Sequence, residues 1–328
     1  METFIATLNP IAVLLLCMTV GYVLNKLHIL PKESGKVMSK LVVWVFYPSL
    51  CFITMAKHCT IDTISTHATN IIMSCISLTI AMLISSLLVR FFAKKGTYEH
   101  GVYHYALTFA NSGYMGDPLV IALFGDVILS YYKIYTLPIS LAVYTWGVSR
   151  LIPGENGKTK MLKKLVNPPT ISMLLGIFAG LTGLGSYLPD FLTQTLESLK
   201  SCMGPTAMLL AGFTVANYSI LKMLKNKKIY AATAMRLVIM PTIIITLLYF
   251  IKEGMNSAFS LGIRSDFLFL AFFAVSTPLG LNTVVFPESY GADPEPGAGM
   301  TLISHTLCIL TIPFMYMLLT SALGTLNL

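Results

Sequence analysis

The sequence predicts an all-α polytopic membrane protein with ten transmembrane helices in two inverted five-helix repeats, in which helices four and nine are broken and cross. Three observations predict this fold class: an apolar composition, apolar segments of membrane-spanning length, and landmarks that recur in both halves. Of the 328 residues, 55% are hydrophobic and 11% are charged, and the mean hydropathy is +0.75. A soluble domain usually carries about 25% charged residues, so this composition excludes a chain that faces water on all sides.

Apolar segments separated by polar or charged stretches account for the predicted helices. Each has about 20 residues, the length that an α-helix needs to cross a hydrocarbon layer of about 30 Å. In chain order, the ten segments are 5–25, 38–57, 69–92, 102–125, 129–150, 168–187, 196–217, 230–251, 266–289 and 297–322. The first lacks the features of a cleavable signal peptide, so we expect it to remain as a span.

The basic residues predict the orientation of the chain in the lipid bilayer. Most of the 22 Lys and Arg residues follow spans one, three, five and seven. The positive-inside rule places these loops in the cytoplasm and both termini outside, in a multi-pass protein of the cell (inner) membrane. The opposite loops hold few basic residues, among them Lys133. The net charge of +8 thus sets orientation, and we expect no nucleic-acid partner.

Nothing in the sequence indicates an enzyme or a bound cofactor. The six cysteines form no CxxC pair, which favours packing over a disulfide framework or a metal site. The chain has no P-loop, Rossmann glycine pattern, HExxH or G-x-S-x-G element. We therefore expect no catalytic residue, no metal and no cofactor. An ion gradient, of H⁺ or Na⁺, or the substrate's own gradient is the expected source of energy.

Landmarks recur at similar spacings in the two halves of the chain. Asn-Pro at 9–10 precedes Leu-Pro at 30–31, and the same dipeptides recur at 167–168 and 188–189. The predicted units are a first repeat, 1–152, a short cytoplasmic loop, 153–166, and a second repeat, 167–328. An odd number of spans per repeat inverts the second copy. Inverted repeats with a midplane site on broken helices are typical of secondary transporters.

Proline or glycine interrupts four of the predicted spans: two, four, seven and nine. In a membrane, the freed backbone groups find no water, so breaks survive only inside protein or beside a polar cavity. Span four breaks at NSGYMGDP and span nine at STPLGLN, at equivalent positions of the two repeats. We expect the breaks to cross, with helix N-termini that suit an anion and carbonyl ends that suit a cation.

Residues of these two breaks are the candidate substrate-binding residues. Their side chains are neutral donors and acceptors, whose alternative role is to cap the kinks. The candidates are Asn111, Ser112, Gly113, Tyr114, Pro118, Thr277, Pro278 and Asn282.

Four ionisable residues inside the spans have more than one interpretation each. Asp117 is the N-cap of a helix with Pro118 at its first position, a site for a coupling H⁺ or Na⁺, or a group that favours a zwitterionic or cationic substrate. His305 and His104 are candidates for carrying a proton, and hydrogen-bonded packing is the alternative. Arg236 either meets a substrate carboxylate or extends to the membrane interface.

The order of residues in NSGYMGDPLVIALFG resembles the N-[TS]-G-x-M-G-x-P-L segment of the auxin efflux carrier family, which includes plant PIN carriers and bacterial permeases. NPPTISMLLGIF is similar to the family's sixth-helix opening, and STPLGLNTVVFPESYGADPE to its ninth-helix crossing. The resemblance implies a scaffold of helices 1, 2, 6 and 7 and a transport core of helices 3–5 and 8–10. It also implies elevator-type alternating access, small organic anions as substrates and a homodimer formed through scaffold helices. Asp117 departs from the family, which usually has a small apolar residue there.

We therefore predict a secondary active transporter of a small organic anion, a mono- or dicarboxylate that is auxin-like or malate/malonate-like. One alternative is a Na⁺-coupled carrier of the bile-acid symporter type, which requires polar Na⁺ ligands near the crossing. Another is a non-transporting membrane sensor or lipid-binding scaffold, a class that usually appends a soluble signalling domain.

Overall fold

The computed structural model describes residues 2–66, 68–152, 167–260 and 262–324. The predicted cytoplasmic loop, 153–166, lies outside the described residues. Within the described ranges, the backbone is almost entirely helical, and its extended pairing is limited to an isolated β-bridge. The all-α class is thus confirmed, whereas the number of ten spans and the inversion of the second half stay predictions.

Helices of very different lengths follow one another along the chain. The first half contains α1 (Glu2–Lys26), α2 (Ser34–Leu41), α3 (Tyr47–His58), α4 (Ile61–Thr66), α5 (Ala68–Leu88), α6 (Tyr98–Thr108), α7 (Asp117–Ala142) and α8 (Val148–Leu151). The second half contains α9 (Pro168–Leu181), α10 (Asp190–Ser201), α11 (Met203–Val215), α12 (Ile220–Lys225), α13 (Lys227–Ala234), α14 (Met240–Phe259), α15 (Asp266–Ser276), α16 (Asn282–Tyr290) and α17 (Glu295–Leu323).

Six stretches of the described chain are helical, long and apolar enough to cross a membrane. They are Thr7–Lys26, Ser34–His58, Ala68–Phe91, Val127–Leu151, Lys227–Phe259 and Glu295–Leu323. They match predicted spans one, two, three, five, eight and ten. Predicted spans four, six, seven and nine are built from the shorter helices α6, α9, α10, α11, α15 and α16 and the start of α7. The chain is a multi-pass membrane protein.

The prolines of predicted spans two and seven lie in continuous helical backbone, so the prediction of a break there was wrong. A π-helical turn, Val42–Phe46, joins α2 to α3 just before Pro48. Before Pro205, α10 passes into α11 through Cys202, whose φ of −72° and ψ of −18° are helical. A proline ring collides with the carbonyl four residues earlier, and a widened turn before the proline relieves that collision.

Glycines bring the helices of predicted spans one, two, six and seven into close contact. α1 packs on α11, and α3 packs on α9. A Cβ atom at Gly212 of α11 would overlap the Met18 carbonyl of α1, and one at Gly21 would overlap the Leu209 carbonyl. Lipid supplies no hydrophobic force between helices, so such backbone contact through small residues stabilises the pair. The first pairing joins spans one and seven, and the second joins spans six and two. In the predicted repeat, span six corresponds to span one and span two to span seven, so the two pairings are equivalent.

This packing predicts that Gly212→Ala lowers stability. The added methyl group has no room against the Met18 carbonyl, and overpacking of this kind costs about 1–3 kcal/mol. Gly254→Ala is the matched control, since Gly254 lies on an exposed face of α14, where a Cβ atom would meet nothing within 4 Å. There alanine gains about 0.8–1 kcal/mol of helix propensity. Thermal unfolding in detergent measures both, and equal midpoints for the two variants would contradict the prediction.

Candidate functional site

The interruptions in spans four and nine lie against each other. In span four, α6 ends at Thr108 and the helix resumes at Ser112. In span nine, α15 ends at Ser276 and α16 begins at Asn282. Ala110 and Leu279 form an antiparallel β-bridge between the two extended segments. The Asn111 N–H donates to the Pro278 carbonyl over 2.9 Å. The two breaks therefore satisfy part of their exposed backbone through each other.

The first break lies earlier in the chain than the sequence suggested, and the N-cap interpretation of Asp117 was wrong. The N–H groups of Met115 and Gly116 both donate to the Asn111 carbonyl, so the helix has already resumed at Ser112. Residues Ser112–Gly116 form a π-helical turn that continues into α7. Asp117 and Pro118 consequently lie inside a helix.

The starts of the two second half-helices face one buried cavity. Ser112 and Gly113 line it from span four, and Gly280, Leu281 and Asn282 line it from span nine. The first N–H groups of a helix have no acceptor within the helix and carry partial positive charge. Two helix N-termini therefore direct positive potential into the same space.

The cavity lies between these breaks and the helices α3 and α9. It encloses about 50 Å³, room for a few water molecules. The described residues that line it are Tyr47, Leu50, Cys51, Thr54, Met55, Tyr105, Ala110, Asn111, Ser112, Gly113, Tyr114, Asp117, Lys133, Thr136, Ser140, Val143, Tyr144, Met173, Gly280, Leu281 and Asn282. Within this described lining, Asp117 and Lys133 are the charged side chains.

Three tyrosines surround the side chain of Asn282. Its Oδ1 accepts from the Tyr47 hydroxyl at 3.0 Å and from the Tyr114 hydroxyl at 3.5 Å. Its Nδ2 donates to the Tyr105 hydroxyl at 2.7 Å. The rings of Tyr47 and Tyr114 are in contact, with centroids 4.9 Å apart. Sequence reasoning missed Tyr47 and Tyr105, because a tyrosine within an apolar span carries no signal that separates packing from a site.

Asn111 contacts a histidine that the sequence predicts as a proton carrier. Asn111 Nδ2 lies 3.1 Å from His305 Nε2, and His305 Nδ1 lies 2.9 Å from the Thr301 carbonyl. Because a carbonyl only accepts, Nδ1 carries the proton and Nε2 accepts from Asn111. His305 therefore supports Asn111 from behind the cavity. Asn111 Oδ1 is buried and has no hydrogen-bond partner in the described part of the chain.

The remaining predicted site residues lie away from the cavity. His104 Nε2 pairs with the Ser86 hydroxyl at 3.1 Å, and its ring packs edge-on against Trp146. Thr277 is buried behind the crossing, and Pro278 contributes its carbonyl to Asn111. Of the predicted site residues, the cavity lining includes Asn111, Ser112, Gly113, Tyr114, Asp117 and Asn282. His305 lies outside the lining and contacts Asn111. The residues that neither line the cavity nor support it through a side chain are His104, Pro118, Thr277 and Pro278.

Lys133 forms a buried ion pair with Asp117, so its placement in an external loop was wrong. α7 is interrupted at Gly125, whose φ of 77° and ψ of −175° are not helical, so Lys133 in its second part can reach back to Asp117 at its start. Lys133 Nζ contacts Asp117 Oδ2. The side chains of Lys133 and Asp117 are 10% and 14% exposed. The other carboxylate oxygen of Asp117 is buried without a partner among the described residues. A lone lysine inside the apolar run SYYKIYTLP was the available signal, since intramembrane charges are usually paired.

Arg236 neutralises the carbonyl ends of both first half-helices. Its side chain is 1% exposed. Nη1 donates to the carbonyls of Leu107 and Thr108 at 3.2 and 3.4 Å, and Nη2 donates to that of Val275 at 2.6 Å. Both sequence-based interpretations, contact with the substrate and extension to the interface, were therefore wrong. The guanidinium occupies the carbonyl ends that the sequence predicts to suit a cation.

Comparison with known proteins places this geometry in a family. The profile of the family described as "Membrane transport protein" matches residues 6–161 and 152–316. An uncharacterized transporter of Methanocaldococcus jannaschii is 23% identical over 310 residues, which cover 93% of this chain and 96% of the relative. An uncharacterized transporter of Methanothermobacter thermautotrophicus is 24% identical over 224 residues, 67% of this chain and 71% of the relative. The chain therefore belongs to the membrane transport protein family, which is the auxin efflux carrier family that its fourth-span motif indicates.

Proposed function

We propose that the protein is a secondary active transporter of small organic anions, specifically mono- or dicarboxylates. One observation carries the proposal: two helix N-termini face the same cavity as the Lys133 ammonium, whose charge the Asp117 carboxylate balances while the cavity is empty. Each of these groups favours a negative ligand. Membership of a transport family supports carriage across the membrane over catalysis.

The proposed cycle is an elevator-type alternation between two sides of the membrane. Ligand pockets usually enclose about 300–1,000 Å³, so the cavity, at about 50 Å³, must widen to admit a metabolite. Its walls come from α3 and α9 on one side and from the two breaks on the other. Separation of these walls would open the site. We propose that helices 3–5 and 8–10 carry it past a scaffold of helices 1, 2, 6 and 7.

Arg236 favours this proposal over a Na⁺-coupled carrier of the bile-acid symporter type. A Na⁺ ion at the crossing would need oxygen ligands, and half-helix carbonyl ends are the usual source. Here the carbonyls of Leu107, Thr108 and Val275 bind the guanidinium instead. A sensor or lipid-binding scaffold without transport is less favoured, since such a role gives no reason for a charged pair beside the crossing.

The setting of the transporter is part of the same proposal. We place it in the cell (inner) membrane with both termini external and the basic loops cytoplasmic, on the distribution of Lys and Arg. A homodimer through the scaffold helices follows from the family resemblance. No cofactor is proposed.

The first functional test is uptake into proteoliposomes. Saturable uptake is expected for at least one of pyruvate, malate, malonate and indole-3-acetate, each radiolabelled, after subtraction of uptake by protein-free liposomes. An amino acid and an organic amine complete the panel. Uptake of the amine alone would contradict the assignment of an anionic substrate.

A second test concerns the asparagine at the crossing. Asn282→Ala removes an acceptor for the Tyr47 hydroxyl and a donor to the Tyr105 hydroxyl, and a lost buried hydrogen bond costs about 1–3 kcal/mol. Because Asn282 also lines the cavity, we expect uptake to fall by about tenfold, the factor that corresponds to a loss of about 1.4 kcal/mol in binding. Asn256→Ala, at the distant end of α14, is the matched control. Unchanged uptake by Asn282→Ala would argue against a role for the crossing.

Arg236 supplies a test of ion dependence. The parent protein is expected to take up its substrate equally in Na⁺ and choline buffers. Arg236→Ala leaves three buried carbonyls without their donor and should destabilise the fold by about 3 kcal/mol or more. Arg90→Ala, at an exposed site, is the control for stability. Uptake by the parent that requires Na⁺ would contradict the inference from Arg236.

A further inference from the structure

We propose that Lys133 binds the carboxylate of the substrate, and that Asp117 holds Lys133 in the empty carrier and takes up a proton when the substrate replaces it. This inference rests on the proposed function and extends it to a coupling ion. It assigns a role to the buried Asp117–Lys133 pair. A cavity that bound its ligand only through neutral donors and helix N-termini would not require such a pair.

The geometry of the pair leaves hydrogen-bond donors of Lys133 unused by Asp117, and these can bind a second anion once the cavity widens. Lys133 Nζ contacts Asp117 Oδ2, and both side chains line the cavity. A lysine ammonium has three donors on a flexible four-carbon stem. Of these donors, one is used by Asp117, which is the lysine's partner among the described residues. The ammonium can therefore turn towards a carboxylate in the cavity without any movement of the backbone.

Charge balance then determines what happens to Asp117. In the empty cavity, the ammonium and the Asp117 carboxylate sum to zero. A substrate carboxylate adds one negative charge, and an unpaired buried charge is costly. A proton that bonds to an Asp117 oxygen removes the excess charge, and the ammonium pairs with the substrate. Release of the substrate and the proton on the far side restores the original pair. One proton therefore moves with each substrate molecule, and with a monocarboxylate the cavity stays neutral throughout.

Other titratable groups surround the pair and compete with Asp117 as carriers of that proton. On α7, which carries Lys133, they are Tyr132 and Tyr135, and on α3 they are Tyr47, Cys51 and His58. The others are Lys200 on α10, Tyr114 after the first break and Tyr144 in the turn after α7. Tyrosine, cysteine and lysine keep their protons at neutral pH in their ordinary state. His58, which shares a small side cavity with Lys133, is the described neighbour whose ordinary titration falls near neutrality. It therefore needs its own control.

Three variants distinguish the exchange from a purely structural ion pair. Lys133→Met removes the substrate's partner and should raise KM by at least about 30-fold, the factor that corresponds to losing a buried charged partner. Asp117→Asn leaves Lys133 available, so KM should stay the same or fall. The double variant, Asp117→Asn with Lys133→Met, is neutral and should be as poor as Lys133→Met. A lysine that only neutralised Asp117 would give the opposite pattern: a defect in Asp117→Asn and recovery in the double variant.

The coupling has a separate electrical readout. Uptake of a monocarboxylate by the parent should respond to a pH gradient, acidic outside, and ignore a membrane potential set with valinomycin and K⁺. A dicarboxylate would carry its second charge across and respond to the potential as well. Its KM should fall as pH falls, by up to about tenfold per pH unit, because one proton is bound with the substrate. Asp117→Asn should lose the response to pH and gain a response to an inside-positive potential. His58→Gln should keep the parent's pH response.

The measurements use full-length protein in proteoliposomes and the panel carboxylate that the parent transports best. Size-exclusion chromatography and thermal unfolding of each variant separate loss of folding from loss of binding, and Lys133→Arg tests whether retained charge rescues KM. If the parent transports none of the panel, the proposed function fails and the exchange fails with it. If the parent transports a carboxylate but Asp117→Asn keeps the pH response, or the double variant recovers, the exchange alone is overturned.

Discussion

Every backbone group that a broken helix exposes inside a bilayer must find its partner within the protein or in a polar cavity. This requirement organises the crossing. The extended segments pair at Ala110 and Leu279, and Arg236 binds the carbonyls at the ends of α6 and α15. What remains are N–H groups at the starts of the two second half-helices, beside the cavity. The fold thus uses its own cation on the carbonyl side and leaves the opposite, positively polarised side available for a ligand.

The two breaks contribute different chemistry to one cavity. The span-nine side presents Asn282, whose amide is held by tyrosine hydroxyls from α3 and α6. The span-four side presents Asn111, supported by His305, and one helical turn further on the Asp117–Lys133 pair. The neutral amides suit orientation of a ligand, and the ion pair supplies the charge. The cavity is therefore chemically asymmetric between its span-four and span-nine sides, and under the proposed function an asymmetric substrate would bind in a single orientation.

Sequence patterns located the breaks because proline, glycine and small polar residues cluster there inside apolar runs, and such clusters disfavour a continuous helix. They could not locate the exact start of the second half-helix, since Ser112–Gly116 adopts a π-helical turn that no local propensity distinguishes from a loop. Apolar length likewise predicted the long helices but not which prolines would lie within continuous helical backbone. The partners of Lys133 and Arg236 were missed for a different reason. The partners of Arg236 are set by packing between helices that are distant in sequence. The partner of Lys133 is set by the interruption of α7 at Gly125, whose geometry only the fold defines.

The glycine contacts between α1 and α11, and between α3 and α9, carry a mechanical consequence. Where the backbones of two helices interlock at Gly21, Gly212, Gly176 and Gly180, neither helix can slide or rotate without a collision of main-chain atoms. Each of these two helix pairs is therefore a stiff unit whose internal geometry is fixed by steric exclusion. Large displacements within the molecule must be accommodated at interfaces made of longer side chains, which can change rotamer and repack as they pass one another.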